Sequence, residues 1–365
     1  MFKKSPVFSL AITLIAYLAL WLLVPKATFL PAIINHLVKA ASHASGIGAA
    51  GIRIIGMLII ALPTAMFMAI QIGIIYQSAK LKMGFIHSLA AFALSLGCAY
   101  GLINLIVRQS GAVKIVHRAL TLREKLFVVG NYVTPLSMIY FICIMFAAIS
   151  LGYMVSLRIK DKNLLLPVVM FAAYIDFWTV TRGPVSQVMK NAPEVVGAVS
   201  TPIPHAGTGT FMPATMIGPG DFIFMAIVFA VVHRFAMRPS RNYWFVFGAM
   251  TLGMLAVLFG LLHALPALMV LAVAVVTANW RAFKLSREEK ISTAVVGLLL
   301  LASLPIVWSL FKPQPVKKHK PKTAVACLMT SYAPSRTELP GFTYDQPSWR
   351  SLAMSGQQPL HITPI

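Results

Sequence analysis

The chain has 365 residues, of which 58% are hydrophobic and only 11% charged, with a net charge of +22 and a mean hydropathy of +0.81. Soluble globular domains carry about 25% charged residues, so this composition excludes one and points to a polytopic membrane protein. The Lys and Arg residues are spread over almost every connection between apolar runs, which reads as a headgroup-facing collar contacting membrane lipid and argues against a nucleic-acid partner.

Crossing about 30 Å of hydrocarbon as a helix takes about 17–25 apolar residues. Nine runs are candidates: 6–24, 54–76, 84–107, 133–157, 164–181, 217–237, 243–263, 265–280 and 291–311. The expected fold class is therefore all-α, a transmembrane helix bundle of about nine spans. The first run follows Lys3 and Lys4 but is long and has no small-residue cleavage site close behind it, so a retained anchor is expected rather than a signal peptide. Two connections, 28–43 and 113–127, mix apolar with basic residues and suit helices lying in the interface plane.

Cys98, Cys143 and Cys327 are too far apart for a CxxC site or a disulfide framework, and packing is their expected role. From Lys312 the character changes to interleaved Lys and Pro with no apolar period, so 312–365 is expected to be a disordered basic tail. No internal repeat is found. Alternating nine spans puts 14 Lys and Arg on the N-terminal side against 10 opposite when the tail is set aside, a lean towards a cytoplasmic N-terminus.

Of the nine acidic residues, only Asp176 and Asp221 lie inside long apolar runs. A carboxylate at bilayer depth costs about 2.5–3.5 kcal/mol on insertion scales, so a function is the default reading. If 164–181 and 217–237 are consecutive antiparallel spans, Asp176 lies about 8 Å and Asp221 about 6 Å below the surface they share, at 1.5 Å per residue. Two carboxyls level in a low dielectric are expected to share one proton, the state an aspartic protease uses to activate water with one and polarise a carbonyl with the other. Gly218 and Gly220 leave no side chain beside Asp221, and Pro219 suits a first helical turn, so a substrate peptide could approach closely there.

These residues resemble the presenilin and signal peptide peptidase family of intramembrane aspartyl proteases. Three signatures stand in that family's order: Tyr174-Ile175-Asp176-Phe177-Trp178, then Gly218-Pro219-Gly220-Asp221, then Pro266-Ala267-Leu268. Gly183-Pro184 and Phe222-Ile223-Phe224 add to the likeness, which covers roughly 164–283. The family places its tyrosine directly before the first aspartate, whereas Ile175 intervenes here.

The resemblance implies a presenilin-like protease core over 164–283, following N-terminal helices over 1–163 and followed by an additional span within 284–311. It implies that Asp176 and Asp221 are the catalytic dyad, and that Gly218, Pro219, Gly220, Pro266, Ala267, Leu268 and Tyr174 contact an unwound substrate. The implied substrates are transmembrane segments or remnant signal peptides. Without the long acidic loop of presenilins, the chain looks closer to a prokaryotic or signal-peptide-peptidase-like relative in a cytoplasmic membrane. No cofactor or metal is expected, because His205 and His263 lack metal-site spacing.

The loop 182–215, rich in Pro, Gly, Ser and Thr, is a candidate substrate edge or gate, with a solvated connection as the alternative. Other functions stay open: a prepilin-peptidase-like enzyme, which also carries a GxGD motif; a proton- or ion-coupled transporter; or an assembly factor whose aspartates only bond between helices. Gln71 and Asn104 are expected to hydrogen-bond between helices, and Thr179 and Thr181 back to their own.

Overall fold

The structure, a computed structural model, describes residues 5–24, 32–33, 36–37, 39, 47–111, 120–131, 135–181, 193–202, 216–258 and 266–310. Among them are eleven α-helices and one two-stranded ladder, an almost wholly helical architecture. The helices are α1 (Pro6–Leu23), α2 (Ile47–Ser78), α3 (Phe85–Gln109), α4 (Leu122–Asn131), α5 (Pro135–Ser156) and α6 (Leu165–Thr181). They continue with α7 (Pro193–Val199), α8 (Pro219–Arg234), α9 (Pro239–Leu258), α10 (Ala267–Asn279) and α11 (Arg287–Leu310). Strands β1 (Thr201–Pro202) and β2 (Met216–Ile217) pair antiparallel between α7 and α8.

Each of the nine apolar runs carries one of these helices. Among the described residues, five segments are long and apolar enough to cross a membrane by length and composition: Pro6–Leu23, Ile54–Leu81, Phe85–Gln109, Pro135–Ser156 and Lys162–Val180. Large apolar side chains such as Ile86, Leu94, Leu252 and Leu298 stand exposed on the outside. A surface of that kind suits lipid and is compatible with an integral membrane protein. Of the two expected interfacial segments, α4 begins late in the second; the first, apart from isolated positions, and the C-terminal tail lie outside the described residues.

The helix ends follow local chemistry. Ser5 caps α1 by accepting the Phe8 N–H at 3.2 Å, with Pro6 in the first turn. Thr121 and Glu124 form a reciprocal capping box on α4, the Thr121 N–H reaching the Glu124 carboxylate at 2.8 Å and the Glu124 N–H the Thr121 hydroxyl at 3.4 Å. Ser286 and Glu289 do the same for α11 at 2.7 and 3.2 Å. The short turns 79–84, 157–164, 235–238 and 280–286 fall at one end of the bundle: Arg234 donates to the Ser156 carbonyl at 2.8 Å, Asn163 to the Lys284 carbonyl at 3.1 Å, and residues 79–81 pack on α8. The opposite end therefore holds the C-terminus of α6, the N-termini of α8 and α10, the ladder, and α4 packed on α7.

Helix α8 is the axle of this bundle. Phe222 and every residue from Phe224 to Val232 are buried, so the helix is enclosed on all sides. It packs against α5, α2, α9 and α10. It is also shorter than the apolar run that encodes it: Met216 and Ile217 are drawn into the ladder, and Ala236 and Arg238 have positive φ just after its end. Helix α6 is peripheral by contrast, packing on α10 and α11. A second apolar cluster joins α3, α4 and α5 through Ile103, Ile106, Phe127 and Tyr140.

The polar residues within the bundle mostly have local partners. Asn104 donates to its own helix at the Tyr100 carbonyl (3.1 Å) and accepts from Lys125 of α4 (2.8 Å). Gln71, expected to hydrogen-bond between helices, is fully buried, and neither its amide nitrogen nor its oxygen has a hydrogen-bond partner among the described residues. Cys98 and Cys143 are free thiols, and Cys327 falls outside the described residues.

Candidate active site

The first carboxylate is presented by the start of α8. Gly218 is its extended N-cap residue, Pro219 occupies the first helical position where no amide is needed, and Asp221 is the third. The Asp221 carboxylate accepts the Gly218 N–H at 3.3 Å, while the Asp221 N–H returns to the Gly218 carbonyl at 3.2 Å. The carboxyl is thereby folded back over the turn that leads out of β2, where the free amides of the helix favour an anion. A Cβ at Gly220 would meet nothing within 4 Å. Among the described residues, none fills the space beside Gly220.

The second carboxylate lies five residues before the end of α6 and is half-buried. Its Oδ2 accepts the backbone N–H of Leu268 at 2.9 Å. Helix α10 begins at Ala267 after Pro266, whose backbone is extended and lacks an N–H. The first turn of a helix leaves its amides without intrahelical partners, and Asp176 supplies one from a different helix. This gives Pro266-Ala267-Leu268 a physical role: the proline sets the start of α10, and the second helical residue offers its amide to Asp176.

The two aspartate helices do not lie face to face along their length. Helix α10 packs against both, and so joins them. Ile175 beside Asp176, Phe224 three residues after Asp221, and Leu268 line one groove, which brings the three segments together. Asp176, Asp221, Gly218 to Gly220 and Pro266 to Leu268 thus gather at one end of the bundle.

Tyr174 goes elsewhere. Two residues from Asp176 is about 200° around a helix, and its hydroxyl meets Ser303 of α11 at 2.7 Å. Thr179 bonds back to the Asp176 carbonyl at 3.2 Å, while the Thr181 side chain, His205 and His263 lie outside the described residues. Of the candidate gate loop, α7 and β1 are described, and β1 pairs through Thr201 with Ile217, the residue before Gly218. Among the described residues, no three of His, Cys, Asp and Glu come together in a group able to hold a metal.

Gly152 is a residue that the motifs do not reveal. A Cβ placed there would overlap the Ile223 carbonyl oxygen and come within 2.8 Å of the Ala226 Cβ. The backbone of α8 therefore rests directly on α5, one turn beyond Asp221. Its only sequence signal is a glycine inside an apolar run, which is too common in membrane helices to stand out.

An apolar groove of about 520 Å³ adjoins the site, walled by Pro167, Phe171 and Ile175 of α6, Phe224 of α8, Leu268 of α10 and Val296 of α11. It runs for about two turns of α6, from Pro167 to Ile175, or about 12 Å at 1.5 Å per residue. No protein-family model, curated protein or solved structure matches this chain, and any functional reading rests on the geometry of the site.

Proposed function

We propose that the protein is an intramembrane aspartyl protease of the GxGD type, with Asp176 and Asp221 as its dyad. The observation that carries the reading is that two carboxyls from apolar runs stand at one end of the bundle, one tied to the Leu268 amide and the other beside Gly220, where a Cβ would meet no described residue within 4 Å. In this reading α1, α2, α3, α5, α6, α8, α9, α10 and α11 cross the membrane nine times, α4 and α7 lie in its interface, and α6 to α10 form a presenilin-like core. The membrane is a prokaryotic cytoplasmic one, and the substrate is a transmembrane segment or remnant signal peptide.

The chemistry needs one ionised and one protonated carboxyl. The ionised one takes a proton from a water molecule as its oxygen attacks the scissile carbonyl carbon. The neutral one donates its proton to the carbonyl oxygen, giving a tetrahedral diol. Collapse of the diol breaks the C–N bond: the leaving nitrogen takes up the dyad's proton, one diol hydroxyl returns its proton to the other carboxylate, and a carboxylic acid and an amine are released. The dyad ends with one proton, as it began. A transmembrane helix must first unwind, and strand pairing along β2 next to Gly218 offers backbone partners for the bonds it gives up.

The test is cleavage of a labelled single-span peptide by the purified protein in lipid vesicles, with Asp176→Asn and Asp221→Asn alongside. Loss of cleavage in both folded variants is expected. Cleavage that survives either substitution rejects the dyad. A second reading, in which Asp176 only fastens α10, is favoured by the same Leu268 bond; an asparagine keeps an acceptor for that amide, so a fastening role survives Asp176→Asn and a catalytic one does not.

A further inference from the structure

The end of the bundle that holds the short turns, opposite the aspartates, carries a collar of positive charge. The segments 80–82, 158–162, 234–241 and 281–290 hold twelve Lys and Arg against three acids, Asp161, Glu288 and Glu289. Nine of the twelve are exposed, Arg158, Lys160, Lys284 and Arg287 among them. The start of α1 belongs to the same end. A Cβ on Gly73 of α2 would stand 3.4 Å from the Thr13 methyl, and the Tyr17 and Phe67 rings are 5.8 Å apart, so α1 runs antiparallel to α2 and begins beside its last turn.

Below the cations the surface changes in a fixed order. Along α9, exposed Arg238 is followed by the exposed Trp244 indole and then by exposed Leu252; read backwards along α10, Arg281 leads to Trp280 and then to Val273, all exposed. On α3 and α11 the step is direct, from Lys82 to Ile86 and from Lys290 to Ile291. Cation, then indole, then bare aliphatic is the order met on passing from headgroups into hydrocarbon. A soluble anion needs the cations but not the aromatic and aliphatic tiers beneath them. The order therefore selects a phospholipid, and the sign of the collar selects an anionic one.

The depth of the carboxyls follows. Asp176 lies thirteen residues beyond Asn163, and Asp221 thirteen before Arg234. Either helix puts its aspartate about 20 Å from the level of the short turns, at 1.5 Å per residue. With about 30 Å of hydrocarbon, both carboxyls lie past its middle.

We propose that the short-turn end is a docking surface for the anionic phospholipid headgroups of the cytoplasmic leaflet, and that it holds Asp176 and Asp221 in the opposite leaflet. Lys and Arg gather on the cytoplasmic side of membrane proteins, where anionic lipid gives them partners. The consequence for the substrate rests on the protease reading: the bond that is cut lies in the extracytoplasmic half of its span.

Sidedness is read at the two ends of α3, with probes that remove no charge: Gly84, where a Cβ would stand 3.6 Å from His87, an ordinary contact, and the exposed Gln109. Each is changed to Cys in the full chain carrying Cys98→Ala, Cys143→Ala and Cys327→Ser, and intact spheroplasts are treated with a membrane-impermeant maleimide. Gln109→Cys is expected to label at least about tenfold more than Gly84→Cys until detergent opens the membrane. Equal labelling, or the reverse, overturns the proposal.

Docking is read from thermal unfolding of the full chain in nanodiscs. Adding phosphatidylglycerol to phosphatidylcholine is expected to raise Tm by about 3–5 °C, and the variant Arg158→Gln, Lys160→Gln, Lys284→Gln, Arg287→Gln to lose at least about half of that gain. No gain, a gain that the variant keeps, or the same gain from inorganic phosphate in phosphatidylcholine discs overturns headgroup docking. A single-span substrate of known orientation, made in the same cells, is expected to be cut beyond the middle of its span as counted from the cytoplasm. Cuts in the cytoplasmic half overturn the placement of the carboxyls and leave the protease reading intact. Labelling as expected with no cleavage overturns the protease reading and leaves the docking surface and its sidedness standing.

Discussion

The Leu268 amide donates to the Asp176 carboxylate at 2.9 Å, joining two helices that stand 92 residues apart in the chain. The bond does two things at once: it satisfies a first-turn amide of α10 and fixes one rotamer of the carboxyl. Replacing Asp176 by Asn keeps an acceptor, whereas Ala leaves the amide unpaired. We expect both to abolish cleavage, and only Asp176→Ala to destabilise the protein, by about 1–3 kcal/mol for an unsatisfied buried donor. Thermal unfolding in detergent beside the cleavage assay separates the two effects.

Gly152 offers a sharper structural test. A methyl group there meets the α8 backbone at Ile223, two residues from Asp221, and backbone cannot rotate away as a side chain can. Gly152→Ala is expected to cost about 1–3 kcal/mol by overpacking and to lower kcat by moving Asp221. A variant as stable and active as wild type would show that α8 is seated some other way. Gly297→Ala, where the obstacle is only the flexible end of Met170, is expected to be tolerated.

At the other end of α10, Asn279 and Asn242 of α9 form a buried amide pair, with the Asn242 amide donating to the Asn279 oxygen at 2.9 Å. Asn279→Ala strands a buried amide at a cost of about 1–3 kcal/mol. The double variant Asn242→Leu, Asn279→Leu removes both partners and is expected to recover much of that loss. A double-mutant cycle in unfolding free energy reads the coupling.

The proposed dyad, if it acts as one, fixes the sign of the pH dependence. Hydrolysis needs one proton on the pair, so kcat/KM falls on the acid side when both carboxyls are protonated and on the alkaline side when both are ionised. A bell-shaped profile is expected for the wild-type protein in vesicles. A profile with a single flank would show that only one carboxyl takes part.

Much of the architecture was legible because helices are encoded locally. All nine apolar runs carry helices, since apolar length and capping residues such as Ser5, Thr121 and Ser286 act within a few positions of themselves. The two aspartates stood out for the same reason: a charge inside an apolar run is visible without knowing its neighbours. Helix bounds were less legible where tertiary contacts compete, as at Met216 and Ile217, which pair with β1 instead of extending α8.

The sequence alone determined a helical membrane-type chain with two carboxylates inside apolar runs, a GxGD turn and a Pro-Ala-Leu helix start. Tertiary structure decided how those parts meet. It placed α10 as the link between the aspartate helices, enclosed α8 as the central helix, and sent Tyr174 to Ser303 and Gly152 to the α8 backbone. The reason is physical: in a lipid-suited chain nearly every helix face is apolar, so composition no longer says which face meets which. That choice falls to close backbone approach and a few buried hydrogen bonds, whose partners lie far apart in the chain.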